Sequence, residues 1–255
     1  MAAAVRIELD ATTPDAIDGR QIRAVTFEQV RMQYLQRTLD RAGLAAPGAT
    51  ALVVGGGRGI LPRTLARLGF EVVAVDQSET TTRIAQEASR EEGLAVTHRT
   101  ASAEEPGVAA GGFDLVYCAD TFEITGELDR VVEQAARALK PGGLLIYDTV
   151  NRTLLSRLVY LGAFQALPMT RIMPAGRYSA DRLRRPADLA ETLGRHGLRN
   201  QDVCGFKPQN PRGLIKAVLR RRRGKITDEE AAALAGFVLD PRHAPVTYLG
   251  YATKD

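Results

Sequence analysis

The stretch from Ala51 to Ile60 constrains the fold of this chain more than any other. The apolar run Ala51–Val54 predicts a short buried strand, and Gly55, Gly57 and Gly59 follow it before a leucine pattern of helical spacing. Glycines adopt turn dihedrals that are closed to other residues, and they let a ligand lie against bare peptide N–H groups. The sequence therefore predicts a strand, a tight turn and a helix that form a ligand-binding edge.

A second predicted strand, Glu71–Val75, ends in Asp76. A carboxylate at this position can accept hydrogen bonds from a ribose diol. The G-x-G-x-G spacing is typical of S-adenosylmethionine (SAM) sites, whereas the third small residue of a nicotinamide or flavin pattern, G-x-G-x-x-G/A, would fall at Ile60. The loop and Asp76 together predict a nucleoside cofactor, and the spacing favours SAM over NAD.

Strands and helices alternate along the chain after this point. Phe113–Cys118 and Leu144–Asp148 have the pattern of a fourth and a fifth buried strand, and 246–251 has that of a closing strand. A β-α-β-α-β order predicts a parallel, doubly wound sheet with ligands at the carboxyl ends of its strands. We predict a single α/β domain over residues 1–255.

Three segments are predicted to surround the ligand edge of this sheet. A helix over 20–45, whose apolar period runs from Phe27 onward, is predicted to lie over the cofactor site. The segments 151–180 and 207–245 interrupt the strand order, so we predict that they are cap insertions that cover the substrate.

Composition and charge exclude several classes of protein. The only two cysteines, Cys118 and Cys204, give neither a disulfide framework nor a metal cluster, and the start of the sequence lacks the apolar core of a signal peptide. We expect a cytoplasmic protein. The net charge is +4, but aromatic residues make up 5% and no basic run is interleaved with them, so we expect no nucleic-acid partner.

The order of motifs resembles the class I SAM-dependent methyltransferases, which have a seven-stranded, mostly parallel sheet. Within them the likeness is greatest to the ubiquinone-biosynthesis O-methyltransferases, from about Arg31 to Pro211. Three segments carry it, with an apolar helix between the first and second: Asp148-Thr149-Val150-Asn151-Arg152, Met173-Pro174-Ala175-Gly176 and Arg185-Pro186-Ala187-Asp188-Leu189. The resemblance implies methyl transfer from SAM to a hydroxyl of a small phenolic, quinone-like or secondary-metabolite acceptor.

Other functions remain open on the same scaffold. N- or C-methylation is one, and non-methylating chemistry such as cyclisation is another. A NAD(P) oxidoreductase is disfavoured by Ile60 and by the lack of a Ser/Tyr/Lys constellation.

The resemblance also implies roles for individual residues at the cofactor. Arg31 would bind the methionyl carboxylate of SAM, Gly55 would meet its methionine moiety, and Asp76 would hold the ribose hydroxyls. The other cofactor candidates follow from their places in the loop and at neighbouring strand ends: Gly57, Gly59, Gln77, Ala103, Glu104 and Ala119.

One departure from the family concerns a metal site. The family has a Glu-x-x-Glu-His cluster after strand four that binds a divalent ion, and here the stretch is Asp120-Thr121-Phe122-Glu123-Ile124. Two carboxylates can still hold Mg²⁺ with waters, orient a substrate or cap the next helix. With the histidine replaced by Ile124, we disfavour a metal and expect an acceptor other than the usual ubiquinone precursor. Glu123, Asp120 and Asn151 are our candidates for the base or substrate-orienting group.

Two further departures lie in the glycine loop. The family usually has an acidic residue two places before the first glycine and a cysteine after it, where this chain has Val53 and Gly56. Neither change forbids SAM.

The segment 153–173 combines apolar residues with Arg157 and Arg171. It is predicted to be a lid over the substrate, with peripheral membrane contact as an alternative that the basic runs favour. A homodimer is also possible.

Overall fold

The structure is a computed structural model that describes residues 6–13 and 16–255. Its centre is one sheet whose strands stand in the spatial order β3-β2-β1-β4-β5-β8-β6-β7. In chain order they are β1 (Thr50–Val54), β2 (Glu71–Asp76), β3 (Val96–Thr100), β4 (Phe113–Cys118), β5 (Leu139–Val150), β6 (Leu198–Pro208), β7 (Phe237–Asp240) and β8 (Thr247–Lys254).

The first five strands are parallel, and β8 enters antiparallel between β5 and β6. Chain order reverses beside β1, so the carboxyl ends of β1, β2 and β4 lie next to one another at the switch point. This confirms the predicted α/β class with a mostly parallel sheet.

The described residues form eight strands, not the predicted seven. The additional strand, β7, pairs antiparallel with β6 at the edge of the sheet and lies inside the predicted insertion 207–245. Four residues without clear alternation give little strand signal. The strand is held by packing, because the Phe237 ring meets Phe27 at 4.9 Å and Phe206 at 5.9 Å between centroids.

Helices cover both faces of the sheet. Residues of α1, α2 and α8 share one buried apolar cluster with the sheet, and residues of α4 and α6 share another. The helices are α1 (Gly19–Ala42), α2 (Ile60–Arg67), α3 (Glu79–Glu91), α4 (Leu128–Ala138), α5 (Leu154–Ser156), α6 (Pro186–Arg195), α7 (Pro211–Arg222) and α8 (Asp228–Ala235), and α5 continues as a π-helical segment, Arg157–Ala166.

Helix α1 begins one residue before the predicted bound of 20 and eight residues before its apolar period. Asp18 caps its first turn by accepting hydrogen bonds from the N–H groups of Arg20 and Gln21, and Gly43 ends it in the left-handed conformation. The added two turns carry Arg20 and Arg23 toward the carboxyl ends of the strands.

No helix of the described residues is both long and apolar enough to cross a bilayer.

His98 on β3 gives the fold a testable dependence on pH. Its ring is buried beside Ser89, and burial, helped by the charge of Arg63, lowers its pKa to about 4. The unfolded chain takes up this proton near pH 6.5, so the free energy of unfolding falls as the pH drops from about 6.5 to 4. Between pH 7.5 and pH 5 the wild type should lose about 2 kcal/mol more of its unfolding free energy than His98→Gln, and urea denaturation at the two pH values measures this difference.

His196→Gln is the matched control, because the His196 side chain lies near the surface beside Asp129. Equal pH slopes for wild type and His98→Gln would show that His98 is not a buried neutral histidine.

Candidate cofactor and acceptor site

The glycine loop lies against the ends of β2 and β4. Gly55 has a φ of +79°, and a Cβ at this position would collide with the carbonyl oxygen of Ala119. The N–H groups of Gly55 and Gly56 both donate to the carbonyl of Val75, at 3.0 Å each. Two constraints therefore require glycine at position 55: the positive φ and the close approach of the chain at the end of β4.

Asp76 ends β2 with a buried carboxylate that organises the loop. It accepts hydrogen bonds from the backbone N–H of Gly57 at 2.9 Å and of Ser78 at 3.0 Å. The guanidinium of Arg20, on α1, is ion-paired with both oxygens of the same carboxylate. Asp76 thus joins the glycine loop, β2 and α1 at the position predicted for a ribose.

A cavity of about 410 Å³, which we call the loop cavity, opens at these strand ends. Most of the predicted cofactor residues lie on its wall, together with one predicted catalytic carboxylate: Gly55, Asp76, Gln77, Ala103, Glu104, Ala119 and Asp120. Gly57 and Arg31 line a smaller adjoining pocket that shares Gly55, Ala119 and Asp120 with it. These residues fit a nucleoside, because the wall combines a carboxylate at the end of β2 with small side chains and a bare backbone at Gly55.

Other predicted residues have structural contacts away from the cavity. Gly59 is the N-cap of α2 in the left-handed conformation, against Arg63 and Ala85. The side-chain amide of Asn151 donates to the carbonyl of Ala244 at 2.6 Å and ties the end of β5 to the loop before β8. Their predicted functional roles stay predictions.

Arg31 is paired with carboxylates of the protein itself. Its Nε donates to Asp148 at 3.0 Å, and its Nη2 lies 2.8 Å from both Asp148 and Asp120. The side chain is almost wholly buried. Binding of a methionyl carboxylate by Arg31 remains a prediction, and in this structure its charge is already balanced.

Arg23 is the central cation of the site. Its Nη2 contacts Asp120 and lies 2.9 Å from Glu123, and its Nη1 donates to the hydroxyl of Tyr178 at 3.0 Å. The rings of Phe27 and Tyr160 face the guanidinium at 5.2 and 5.1 Å. A buried guanidinium held by two carboxylates and aromatic faces is a fixed charge, because cation–π and ion-pair contacts strengthen away from water.

Three carboxylates and two guanidiniums make up this buried cluster. Burial alone raises the pKa of Asp120, but the charges of Arg23 and Arg31 outweigh it and hold that pKa well below its usual range. Burial raises the pKa of Asp148 to about 7 despite Arg31, and it also raises the pKa of Glu123. Asp120, the one of the three carboxylates on the cavity wall, is therefore ionised at neutral pH.

Sequence reasoning missed three members of this site: Arg20, Arg23 and Asp148. A signal for the arginines existed, because positions 20, 23 and 31 fall within about 80° of one another around a helix. It was hidden because the apolar period that marks α1 starts only at Phe27.

A second cavity of about 530 Å³, the apolar cavity, lies on the other side of Arg23. Its wall comes mainly from α1, the π-helical segment, β6 and α7 and is lined by apolar side chains such as Phe27, Phe164 and Leu214. Arg23 is one of its few charged groups. The Arg23 guanidinium thus lies between an apolar cavity and the carboxylate that faces the loop cavity.

Similarity to curated relatives identifies the family. Residues 52–147 match the model of a methyltransferase domain. The chain is 34% identical over 203 residues to the ubiquinone biosynthesis O-methyltransferase of Xanthomonas axonopodis pv. citri (strain 306), an alignment that covers 78% of this chain and 82% of that protein. The chain belongs to the ubiquinone-biosynthesis O-methyltransferase family. It is a SAM-dependent O-methyltransferase, as the resemblance implies.

Solved structures agree on the fold. The magnesium protoporphyrin IX methyltransferase of Synechocystis PCC 6803, solved with bound S-adenosylhomocysteine (SAH), has a TM-score of 0.58 at 20% identity and covers 94% of this chain and 85% of its own. The [4+2]-cyclase SpnF has a TM-score of 0.56 at 19% identity, with 87% and 80% covered. The scaffold of this O-methyltransferase family thus also occurs in a protein named for cyclisation.

Gly55→Ala tests the loop geometry against a matched control. Gly48 has nearly the same φ, +80°, but a Cβ there meets nothing within 4 Å. We expect Gly48→Ala to cost about 1 kcal/mol of unfolding free energy and Gly55→Ala about 3 kcal/mol, because only the second adds a backbone collision to the strain. Thermal unfolding and SAH calorimetry measure both, and SAH binding should weaken only in Gly55→Ala. Equal behaviour of the two variants would contradict the close approach of Ala119.

Proposed function

We propose that this enzyme methylates a hydroxyl of a small phenolic, quinone-like or secondary-metabolite acceptor that lies beside Asp120. The position of Asp120 carries the proposal. This carboxylate lies on the wall of the loop cavity, next to Gly55 and Ala119, and guanidiniums hold both of its oxygens in place. A fixed carboxylate beside a cofactor cavity can accept the hydrogen bond of a hydroxyl and orient its oxygen.

The cofactor residues of this chain support SAM in the loop cavity. When bound there, SAM supplies a methyl group on a sulfonium, and transfer forms the new O–C bond while the S–C electron pair stays on sulfur as neutral SAH. Asp76 would hold the ribose hydroxyls, and Gly55 leaves its backbone bare for the methionine portion. Glu104 is fixed near the predicted adenine position by a hydrogen bond from Thr125, at 2.6 Å.

Asp120 would also take the hydroxyl proton. The low pKa of Asp120 makes it a weak base toward a free hydroxyl, but an oxygen that is gaining a methyl group becomes strongly acidic. A weak, permanently ionised carboxylate therefore suffices, provided that it stays within hydrogen-bond reach. Positioning supplies much of the rate in such a transfer.

The apolar cavity supports an acceptor with an apolar body. Its position beyond Arg23 lets such a body lie between α1 and α7 while the hydroxyl points toward Asp120. The name of the curated relatives supports a phenolic or quinone-like head, and Ile124 in place of the family histidine supports an acceptor that differs from theirs.

Calorimetry with SAH, beside NADH, tests the cofactor part of this function. We expect SAH to bind and NADH not to bind. Asp76→Asn should weaken SAH binding by about tenfold or more, because the ribose loses a charged hydrogen-bond acceptor. Asp114→Asn is the control, since Asp114 is also an ion-paired carboxylate of the sheet but lies near the amino end of β4, away from these strand ends. Tighter NADH than SAH binding, or equal effects of the two substitutions, would argue against the assignment.

We also propose peripheral contact of the segment 153–173 with an anionic membrane surface. Leu154 and Leu158 are 77% and 69% exposed, and Met169 is 74% exposed. The basic helix α7 lies close by, because Arg222 donates to the carbonyl of Arg171. Exposed leucines beside cations are the combination that anionic interfaces bind.

Vesicle sedimentation tests this contact. We expect binding to phosphatidylglycerol-containing vesicles and little to pure phosphatidylcholine, and about tenfold weaker binding for Leu154→Ser/Leu158→Ser. Binding that ignores both lipid charge and the leucines would contradict the proposal. Light scattering on the same proteins without vesicles tests the homodimer that the sequence leaves open. A dimer that dissociates in the double variant would mean that a second copy covers this surface instead.

A further inference from the structure

The two carboxylates that correspond to the family's metal ligands are engaged by arginine in this chain. Asp120 has one oxygen against Arg23 Nη2 and the other 2.8 Å from Arg31 Nη2. Glu123 has one oxygen 2.9 Å from Arg23 Nη2, and the other accepts a hydrogen bond from Thr149 at 3.0 Å. Each of the four oxygens faces a guanidinium or a hydroxyl, although Asp120 Oδ1 and Glu123 Oε1 meet Arg23 through charge contacts without a hydrogen bond. A divalent ion would therefore have to displace a guanidinium to reach either carboxylate.

The third position of the motif supports the same conclusion. Ile124 provides no lone pair, and its side chain lies on the wall of the loop cavity. Within residues 6–13 and 16–255, no three histidine, cysteine, aspartate or glutamate side chains are arranged to hold a metal. The residues present therefore do not fit the divalent ion that the resemblance implies.

We propose that the guanidinium of Arg23 takes the place of that divalent cation, so that this O-methyltransferase positions its acceptor without a metal. Arg23 Nη2 lies between Asp120 and Glu123, which is where a shared cation would neutralise them. Its contacts with these oxygens are charge contacts, since Nη2 is not aligned for a hydrogen bond with either. The part of this inference that concerns the acceptor rests on the proposed function, whereas the contacts of Arg23 with the two carboxylates do not.

The surroundings of Arg23 hold the cation in this position. Tyr178 accepts a hydrogen bond from Nη1, and the rings of Phe27 and Tyr160 pack against the guanidinium. Only 5% of the residue is exposed. Movement of the side chain toward solvent would leave Glu123 without a cation and Asp120 with Arg31 alone, which is strongly unfavourable for buried carboxylates.

Arg23 also retains a donor for a ligand. Its Nε has no hydrogen-bond partner in the described part of the chain, and the residue lies on the wall of the apolar cavity. A buried unsatisfied donor is rare and costly, so an oxygen that a bound acceptor brings to Nε would be held favourably. Arg23 can thus supply to an acceptor oxygen the positive charge that a metal ion would otherwise supply.

Binding of Mn²⁺, followed by electron paramagnetic resonance without acceptor, tests the inference apart from catalysis. We expect no stoichiometric binding by the wild type or by Arg23→Lys, which keeps the charge. Arg23→Gln frees the carboxylates and should bind Mn²⁺ at least about tenfold more tightly than the wild type. SAH calorimetry and thermal unfolding on every variant show whether the fold and the cofactor site persist.

Ile124→His is the matched variant that restores the family histidine and leaves Arg23 in place. It should bind no more Mn²⁺ than the wild type, and this result keeps the test decisive if Arg23→Gln does not fold. Mn²⁺ binding by Ile124→His, with Arg23 in place, would show that the missing histidine and not Arg23 prevents metal binding, and it would overturn the inference. Stoichiometric Mn²⁺ binding by the wild type that Glu123→Gln abolishes, or no binding by a folded Arg23→Gln, would overturn it as well.

If SAH does not bind to any variant, the proposed function fails while the metal result still stands. Once an acceptor is identified, methyl transfer by the wild type should be unchanged in EDTA, and loss of activity that Mg²⁺ restores would contradict the replacement.

Discussion

The buried ion pairs between α1 and the ends of β4 and β5 are the interaction on which this site depends. Moving a guanidinium or a carboxylate out of water costs several kcal/mol, and pairing offsets that cost only where the geometry is good. Here Arg23 and Arg31 meet three carboxylates, and two of these, Asp120 and Asp148, contact both arginines. Helix α1 is therefore fixed over the strand ends by charge as well as by its apolar face.

This arrangement explains why the helix, the glycine loop and the strand ends form one unit. Arg20, one turn before Arg23, pairs with Asp76, and Asp76 in turn binds the N–H of Gly57. A displacement of α1 would break the contact of Arg20 with Asp76 and the contacts of Arg23 with its carboxylates at the same time. Pre-organisation of the cofactor edge is thus a consequence of long-range charge pairing, not of the loop alone.

The sequence predicts the local parts of this site well. A buried strand, a glycine turn and a terminal acid are each encoded within a few residues, so β1, the loop and Asp76 lie where the sequence indicates. Parallel topology also follows from the order of elements, because the connection rules leave few alternatives. The sequence did not predict the eighth strand because it is stabilised by tertiary packing, that of Phe237 against Phe27 and Phe206.

The charge cluster shows why the rest could not be predicted. Arg23 contacts Tyr178, 155 residues away, and Arg31 contacts Asp148, 117 residues away. A motif compared position by position shows Ile124 where the family has a histidine, but not that an arginine about a hundred residues earlier contacts the neighbouring carboxylates. The two features lie together in three dimensions and far apart along the chain.

The same ion pair also defines how an acceptor must approach. Asp120 belongs to the wall of the loop cavity and Arg23 to the wall of the apolar cavity, and their contact is part of the partition between the two. With SAM in the loop cavity, as proposed, the accepting oxygen must lie in line with the methyl donor, on the Asp120 side of this partition. The apolar body of the proposed acceptor lies on the Arg23 side, where the cavity wall is mostly apolar. An acceptor that meets both demands would place its hydroxyl at the ion pair itself, where a fixed positive charge and a fixed carboxylate are already present.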